Sequence, residues 1–539
     1  MAGIGFELSR AFKGKGILAL VNGYMASGMI FAGPMFLGGL MVVSIREISV
    51  VAGLSRPQML FLQGLVTYIM VVSIMIVNSS SLVSIRYAAD LIYEEKYERV
   101  MPSFWGSTSL YLVAGSLLCL PRLFFMELSG ELIFLCFVLF GEMVMVWNEM
   151  NYLTAIKDFL GVVASFFVAV SLGVVSAYVT IIYLGFHTVT ALMFSFCITY
   201  GVLSVWFAYL LDNYFPRARG SGMYFLKYFD RYRDLWFYGI CMQFAIYGHI
   251  AVMWFSPIGR MVWKGIYHAP LYDEGTMFGV ASAVIATIDM SRSMETRFSK
   301  IFGRFLRFLN GGAPISYIED ETLLSQQIMY NELFFILIKQ FIITLCFLVF
   351  GSVLIPEMNL GLTHDMLGTY RVLCVGYAFF AIGNSFCLVL LYFMDYSHAF
   401  VSALLFAIGS IFGTWVTIHI GPSLYGAGFM VGAACYAFFS FFSIVIYQNN
   451  LLVNICRISI VEHEHRGLMT LLCNVLTRYD PYAEDPGKAP DGTQGKASNK
   501  ASYKASGKAS DKAGIKSGAP KKDLDKANTA VGDRQTGEA

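Results

Sequence analysis

Residues 332–355 read ELFFILIKQFIITLCFLVFGSVLI, an apolar and aromatic run bounded by Glu332 and interrupted by one charge, Lys339. The hydrocarbon core of a bilayer is about 30 Å thick, and roughly 20 such residues in helical form cross it. The stretch therefore reads as a transmembrane helix. Working outward, eleven more stretches meet or nearly meet that length: 17–44, 58–84, 104–126, 131–148, 159–183, 186–210, 234–256, 272–291, 366–393, 396–420 and 424–447. The expectation is an all-α polytopic membrane protein with about 12 spans. The stretch 272–291 is the weakest, because Asp273, Glu274 and Asp289 stand among small residues. A helix buried by its neighbours and a re-entrant segment both fit it.

Composition agrees. The chain is 57% hydrophobic and only 14% charged, where a soluble domain carries about 25% charged residues. Its 16% of aromatic residues suits a protein with two membrane–water interfaces to line. The ten cysteines are scattered through apolar runs without C-x-x-C spacing, and read as small core residues rather than disulfides or metal ligands. At the N-terminus, MAGIGFELSRAFKGKG precedes a run long enough to span, so the first apolar segment reads as a retained helix.

Cations orient the spans. Arg10, Lys13 and Lys15 precede the first, and Arg86, Lys96 and Arg99 lie at or beyond the end of the second. Five more crowd 217–233, and Arg292, Arg297, Lys300, Arg304 and Arg307 follow the eighth. With twelve spans these fall on one side, which predicts that both termini are cytoplasmic. The middle loop, 212–233, then separates an amino-terminal six-helix lobe (1–211) from a carboxy-terminal one (234–450), with a cleft between. A cytoplasmic tail follows over 451–539, and from about residue 485 it is Lys-rich, repeating as ASNK-ASYK-ASGK-ASDK, with almost nothing apolar to bury and therefore disorder expected.

A helical wheel over 294–309 puts Arg297, Lys300, Arg304 and Arg307 on one side and Phe298, Ile301, Phe302, Phe305, Phe308 and Leu309 on the other. This basic amphipathic helix is expected at the membrane surface, its phenylalanines in lipid and its cations toward anionic headgroups or a docking partner. The alternative is a helix packed on the protein itself.

No P-loop, H-E-x-x-H or G-x-S-x-G occurs, so the chain is expected to be neither an ATPase nor another enzyme, with no cofactor and no nucleic-acid partner. Glu462-His463-Glu464-His465 is a solvated charge run rather than a metal cage, since adjacent ligands on a short stretch surround an ion poorly. The informative residues are ionisable groups within spans, which face the bundle interior or a hydrated cavity because lipid penalises them. They are Glu142, Asp289, Lys339 and Arg371, with Gln243, His249 and Asn384 as polar neighbours; Asp395 lies near a helix end, where it reaches water easily. One reading gives the four a translocation path or ion coupling, and the other makes them interhelical ion pairs. Gly33-Pro34 should kink the first span, as a moving part or a static bend.

The opening MAGIGFEL (Met1–Leu8), Gly33-Pro34 and twelve spans around a short middle loop resemble the PelG family, the inner-membrane transporters of Pel exopolysaccharide machinery. The resemblance covers roughly residues 1–460 and leaves out the lysine-repeat tail. It implies membership of the multidrug/oligosaccharidyl-lipid/polysaccharide exporter superfamily, with two six-helix lobes around a central cavity. The implied substrate is Pel, a partly de-acetylated polymer rich in N-acetylgalactosamine. The implied partners are a PelF-like cytoplasmic glycosyltransferase, a PelD-like cyclic di-GMP receptor and a PelE-like membrane protein, acting in biofilm matrix formation. No catalytic residue is implied. Competing readings are a lipid-linked oligosaccharide flippase, a cation-coupled antiporter in which Glu142 serves as the acidic site, and a membrane scaffold of the synthase that transports nothing.

Overall fold

A computed structural model describes residues 47, 50, 53–153, 159–185, 189–216, 220–293, 298–357, 364–458 and 467–478. Met1–Ala483 form one compact unit and Glu484–Ala539 another, and every described residue lies in the first. The expected first span with Gly33 and Pro34, the residue Arg297, the run 462–465 and the lysine repeats lie outside the described residues.

The chain enters α1 (Arg56–Tyr93) through a capping box, in which the Ser55 amide donates to Gln58 Oε1 at 3.1 Å and a proline sits in the first turn. Next come α2 (Val100–Phe125), α3 (Gly130–Leu153), α4 (Phe159–Tyr178, running into a π turn at Val179–Tyr183) and α5 (Val189–Tyr214). The middle loop is structured: a 3-10 turn (Gly222–Phe225) leads into the short α6 (Leu226–Arg231). The second half holds α7 (Arg233–Trp254), a hairpin of β1 (Arg260–Trp263) and β2 (Ile266–His268), α8 (Pro270–Ser293), α9 (Ser299–Asn310), α10 (Ile315–Glu357), α11 (His364–Tyr392), α12 (Tyr396–Ile420) and α13 (Ala427–Asn449). Two short helices, α14 (Leu451–Ile458) and α15 (Leu468–Leu476), follow.

Among the described residues ten helices are long and apolar enough to cross a membrane: α1 to α5, α7 and α10 to α13. The chain is an all-α polytopic membrane protein, and the two-stranded hairpin is its one sheet among those residues. The weakest sequence span, α8, is a continuous 24-residue helix. Of the two forms it could take, it takes the neighbour-packed one, lying against α10 and α11.

The helices sort into two packed groups. In the first, α3 touches α1, α2 and α5, and α4 lies on α5; in the second, α12 packs on α7 and α13, and α11 on α8, α10 and α13. The groups meet where α1 packs along α7. Small residues set the tightest seam. Gly409 and Gly413 on α12 meet Gly432 and Gly428 on α13, where a Cβ on Gly428 would lie 2.0 Å from the Thr414 nitrogen and one on Gly432 2.5 Å from that of Ser410. Two facing G-x-x-x-G patterns thus bring backbones into contact, the arrangement that substitutes for hydrophobic drive inside lipid. The alternating helices give the molecule a linker end, which carries α6, α9 and α15, and a hairpin end, which carries β1 and β2.

Candidate translocation site

At the hairpin end, a loop of the second group is fastened to the first. Lys264 and Gly265 make the two-residue turn, with Gly265 at φ +81°, which glycine adopts without a steric penalty. The turn reaches the ends of α1 and α2. Arg122 Nη2 donates to the Gly265 carbonyl at 2.7 Å, and Trp263 Nε1 to that of Met126 at 3.0 Å. Tyr68 on α1 engages both backbone groups of Tyr267: its hydroxyl donates to the carbonyl at 3.2 Å and accepts from the amide at 3.1 Å. The Tyr68 ring stacks on Trp254 with centroids 4.6 Å apart, Phe61 lies against Trp263 at 4.8 Å, and Lys264 pairs with Glu127. Asp273 braces the base of the hairpin, accepting from Trp254 Nε1 at 3.1 Å and from the Ala269 amide at 3.0 Å. Behind the clasp, α1, α2 and α7 enclose an apolar pocket of about 340 Å³, lined by Val72, Ile76 and Phe244 with Arg122 at its edge.

In the first group the polar residues gather on α3. Asn148 donates to Ser107 Oγ at 2.9 Å and Thr108 Oγ1 at 2.8 Å on α2, Tyr152 bonds Ser103 at 3.1 Å, and Trp147 Nε1 donates to Ser73 on α1 at 3.1 Å. Two carboxyls share the face toward α5. Glu142 is half-buried, its Oε2 has no hydrogen-bond partner, and a Cβ on Gly201 would come within 2.9 Å of its Oε1. Glu149 is fully buried, accepts from Ser204 Oγ at 3.3 Å, and has no partner for its Oε2. The seven-residue spacing stacks the two acids about two helical turns apart on one face. Carboxyls with so little hydrogen bonding inside a spanning helix are costly to stability and are the groups to which a proton, a cation or a polar cargo would matter most.

Of the four ionisable residues singled out in the sequence, Glu142 belongs to this layer and the others stand on three helices of the second group. Lys339 lies midway along α10, and Arg371 is exposed on α11 with its Nε donating to Ser352 Oγ at 3.0 Å. Asp289 lies on α8. The ion pair between Glu142 and Lys339 or Arg371 does not form among the described residues. Glu149 was missed because the fourth span was ended at residue 148, while α3 continues to Leu153. The seven-residue interval from Glu142 was the signal available.

The amphipathic segment is a helix, α9, and one expectation for it is corrected. Phe298, Phe302 and Phe305 are buried in protein rather than lipid. Phe298 and Phe302 make edge-to-face contacts with Tyr392 and Phe393, and Phe393 stacks on Tyr447 at 5.2 Å. Aromatic rings in a protein core gain directional contacts that acyl chains do not offer. Arg304 and Arg307 remain exposed, Arg304 lying 3.8 Å from Glu321 on α10, and Lys300 is carried on the same helix.

Residues 1–455 match the family "PelG: Putative exopolysaccharide Exporter (EPS-E)". No curated protein matches the chain. Among solved structures, an outward-facing multidrug resistance MATE family transporter of the MOP superfamily superposes with a TM-score of 0.51 at 13% identity, covering 85% of this chain and 100% of that one. A MATE in complex with MaD5 superposes with a TM-score of 0.53 at 14% identity, over 85% and 100%. These likenesses establish a MATE-type fold, and the chain is a transporter rather than an enzyme. The chain belongs to the PelG family of exopolysaccharide exporters.

Proposed function

We propose that the chain carries a Pel-type polymer, rich in N-acetylgalactosamine, across the bacterial inner membrane as the transport subunit of a synthase complex for biofilm matrix. The observation that carries this reading is the family match over residues 1–455. The excess of Lys and Arg in linker-end loops supports placing that end, with both termini, in the cytoplasm. A PelF-like glycosyltransferase would hand polymer over there, beside PelD-like and PelE-like partners. The exposed cations Arg304 and Arg307 of α9 are suited to dock such a partner or the anionic leaflet.

In this scheme the clasp of Tyr68, Arg122 and Trp263 on the hairpin closes the far side until cargo passes. Glu142, Asp289, Lys339 and Arg371, joined by Glu149, supply the polar path. A second reading, cation-coupled antiport, is favoured by one observation: the stacked carboxyls of α3 are poor in partners. Inverted vesicles holding the partners and supplied with sugar nucleotide test the first reading. Polymer enclosed only when this chain is present supports it; synthesis with enclosure indifferent to the chain makes it a scaffold.

A further inference from the structure

A second cavity shares no lining residue with the clasp pocket and includes neither carboxyl of α3. At the linker end, α2 and α5 flank a groove of about 880 Å³, within the size range of small-molecule sites. Trp105 and Ser109 share one face of α2, one turn apart, and Tyr209 and Asp212 share one face of α5. Both rings are open, Trp105 at 51% and Tyr209 at 64% exposed. The backbone of Gly220 and Gly222 closes the groove. That edge is fixed, since Gly222 sits so close to α2 that a Cβ would lie 1.9 Å from the Pro102 carbonyl oxygen.

Resting on the exporter reading, we propose that this groove binds pyranose rings of the polymer on the cytoplasmic side, before they reach the cleft between the helix groups. A pyranose presents axial C–H bonds on one face, which stack on an aromatic ring, and hydroxyls at its edge, which need donors and acceptors. Trp105 and Tyr209 provide rings on facing walls, and Ser109 and Asp212 provide edge groups from the same two helix faces. Asp212 adds a carboxylate to the lining, which favours neutral or amine-bearing sugars over uronates. An interfacial aromatic belt would put these rings at headgroup level, but it does not call for a carboxyl-bearing residue one turn from Tyr209 in the lining of the same concavity.

The test is calorimetric titration of the full chain in lipid nanodiscs with tetra-N-acetylchitotetraose, chitotetraose and a tetrameric uronate. The expectation is binding of the first two and not the third. Trp105→Ala and Tyr209→Ala should each weaken it at least tenfold, and Trp105→Phe should restore most of it, which separates ring loss from misfolding. Asp212→Asn should weaken chitotetraose more than its acetylated form. The proposal is overturned if the alanine variants bind as the wild type does, if uronate binds equally well, or if native mass spectrometry finds a phospholipid that Trp105→Ala releases and no sugar. Failure of the groove with polymer still enclosed by vesicles leaves the exporter reading standing; loss of enclosure as well removes both.

Discussion

Replacing Tyr68 by phenylalanine removes one oxygen and little else. The ring keeps its stack on Trp254, so the change falls on the two hydrogen bonds to Tyr267. Each is worth about 1 kcal/mol net, and both protein groups are left facing a methine, so the clasp should weaken by about 2 kcal/mol. At 1.4 kcal/mol per tenfold, that multiplies the open population about thirtyfold. The Tyr267 amide donates to the lost oxygen and therefore reports directly. Hydrogen exchange of 260–268 in nanodiscs should accelerate by about that factor, while α12 and α13 keep their protection. Arg122→Ala, which removes a charged donor from the Gly265 carbonyl, should act in the same direction by about 1.5–3 kcal/mol, and the pair should be non-additive because they hold one turn. Exchange of the hairpin unchanged to within threefold in both variants would show that these contacts carry no closing energy, and the gate assignment would fall.

Three further outcomes are expected. Glu149→Gln keeps the shape of the buried carboxyl but cannot release a proton, so enclosure of polymer by inverted vesicles should drop at least tenfold if α3 couples an ion, with an unchanged unfolding temperature; full activity would assign Glu149 to packing. Gly428→Leu pushes a side chain into the Thr414 backbone, and should lower stability by about 3 kcal/mol, read as a fall in melting temperature in detergent. His268 Nε2 lies 3.3 Å from Asp273, and burial holds its imidazole below the usual 6.5; Asp273→Asn removes the carboxylate that would pair with the imidazolium and leaves only the cost of burying its charge, so hairpin protection in that variant should be undiminished above pH 6.5 and decline below it.

Lipid explains why some of this was legible and some not. A span shows itself as an uninterrupted apolar run, so α10, α12 and α13 could be read directly. Periodicity at 294–309 gave the apolar side of α9 but not its destination, because acyl chains and a protein core accept the same phenylalanines. Phe302 meets Tyr392 and Phe393, which are some 90 residues away in the chain. The clasp is hidden for a related reason: its partners lie far apart in the chain, and the turn signal at Lys264-Gly265 is two residues long. Glu149 was lost to a boundary one residue too early, the least certain part of any helix assignment.

Where the molecule can bend follows from where its backbones touch. Inside the second group, the α12–α13 seam leaves no room for a side chain, and Gly248 of α7 lies under Ile411 of α12, where a Cβ would come within 2.7 Å. These helices have to move together. Between the groups, backbone contact of that closeness occurs toward the linker end of α7, where a Cβ on Gly239 would lie 2.6 Å from the Ser79 carbonyl oxygen of α1. Toward the hairpin end the same two helices meet through side chains, Tyr68 on Trp254. A backbone contact acts as a pivot, and a side-chain contact can part. From Gly239 to Trp254 the helix rises about 22 Å. Rocking the groups by about 10° over that arm would move the hairpin end by about 4 Å, enough to break every hydrogen bond in the clasp. The fold therefore concentrates a small rotation onto the hairpin end, where the two groups are held by a few removable side chains.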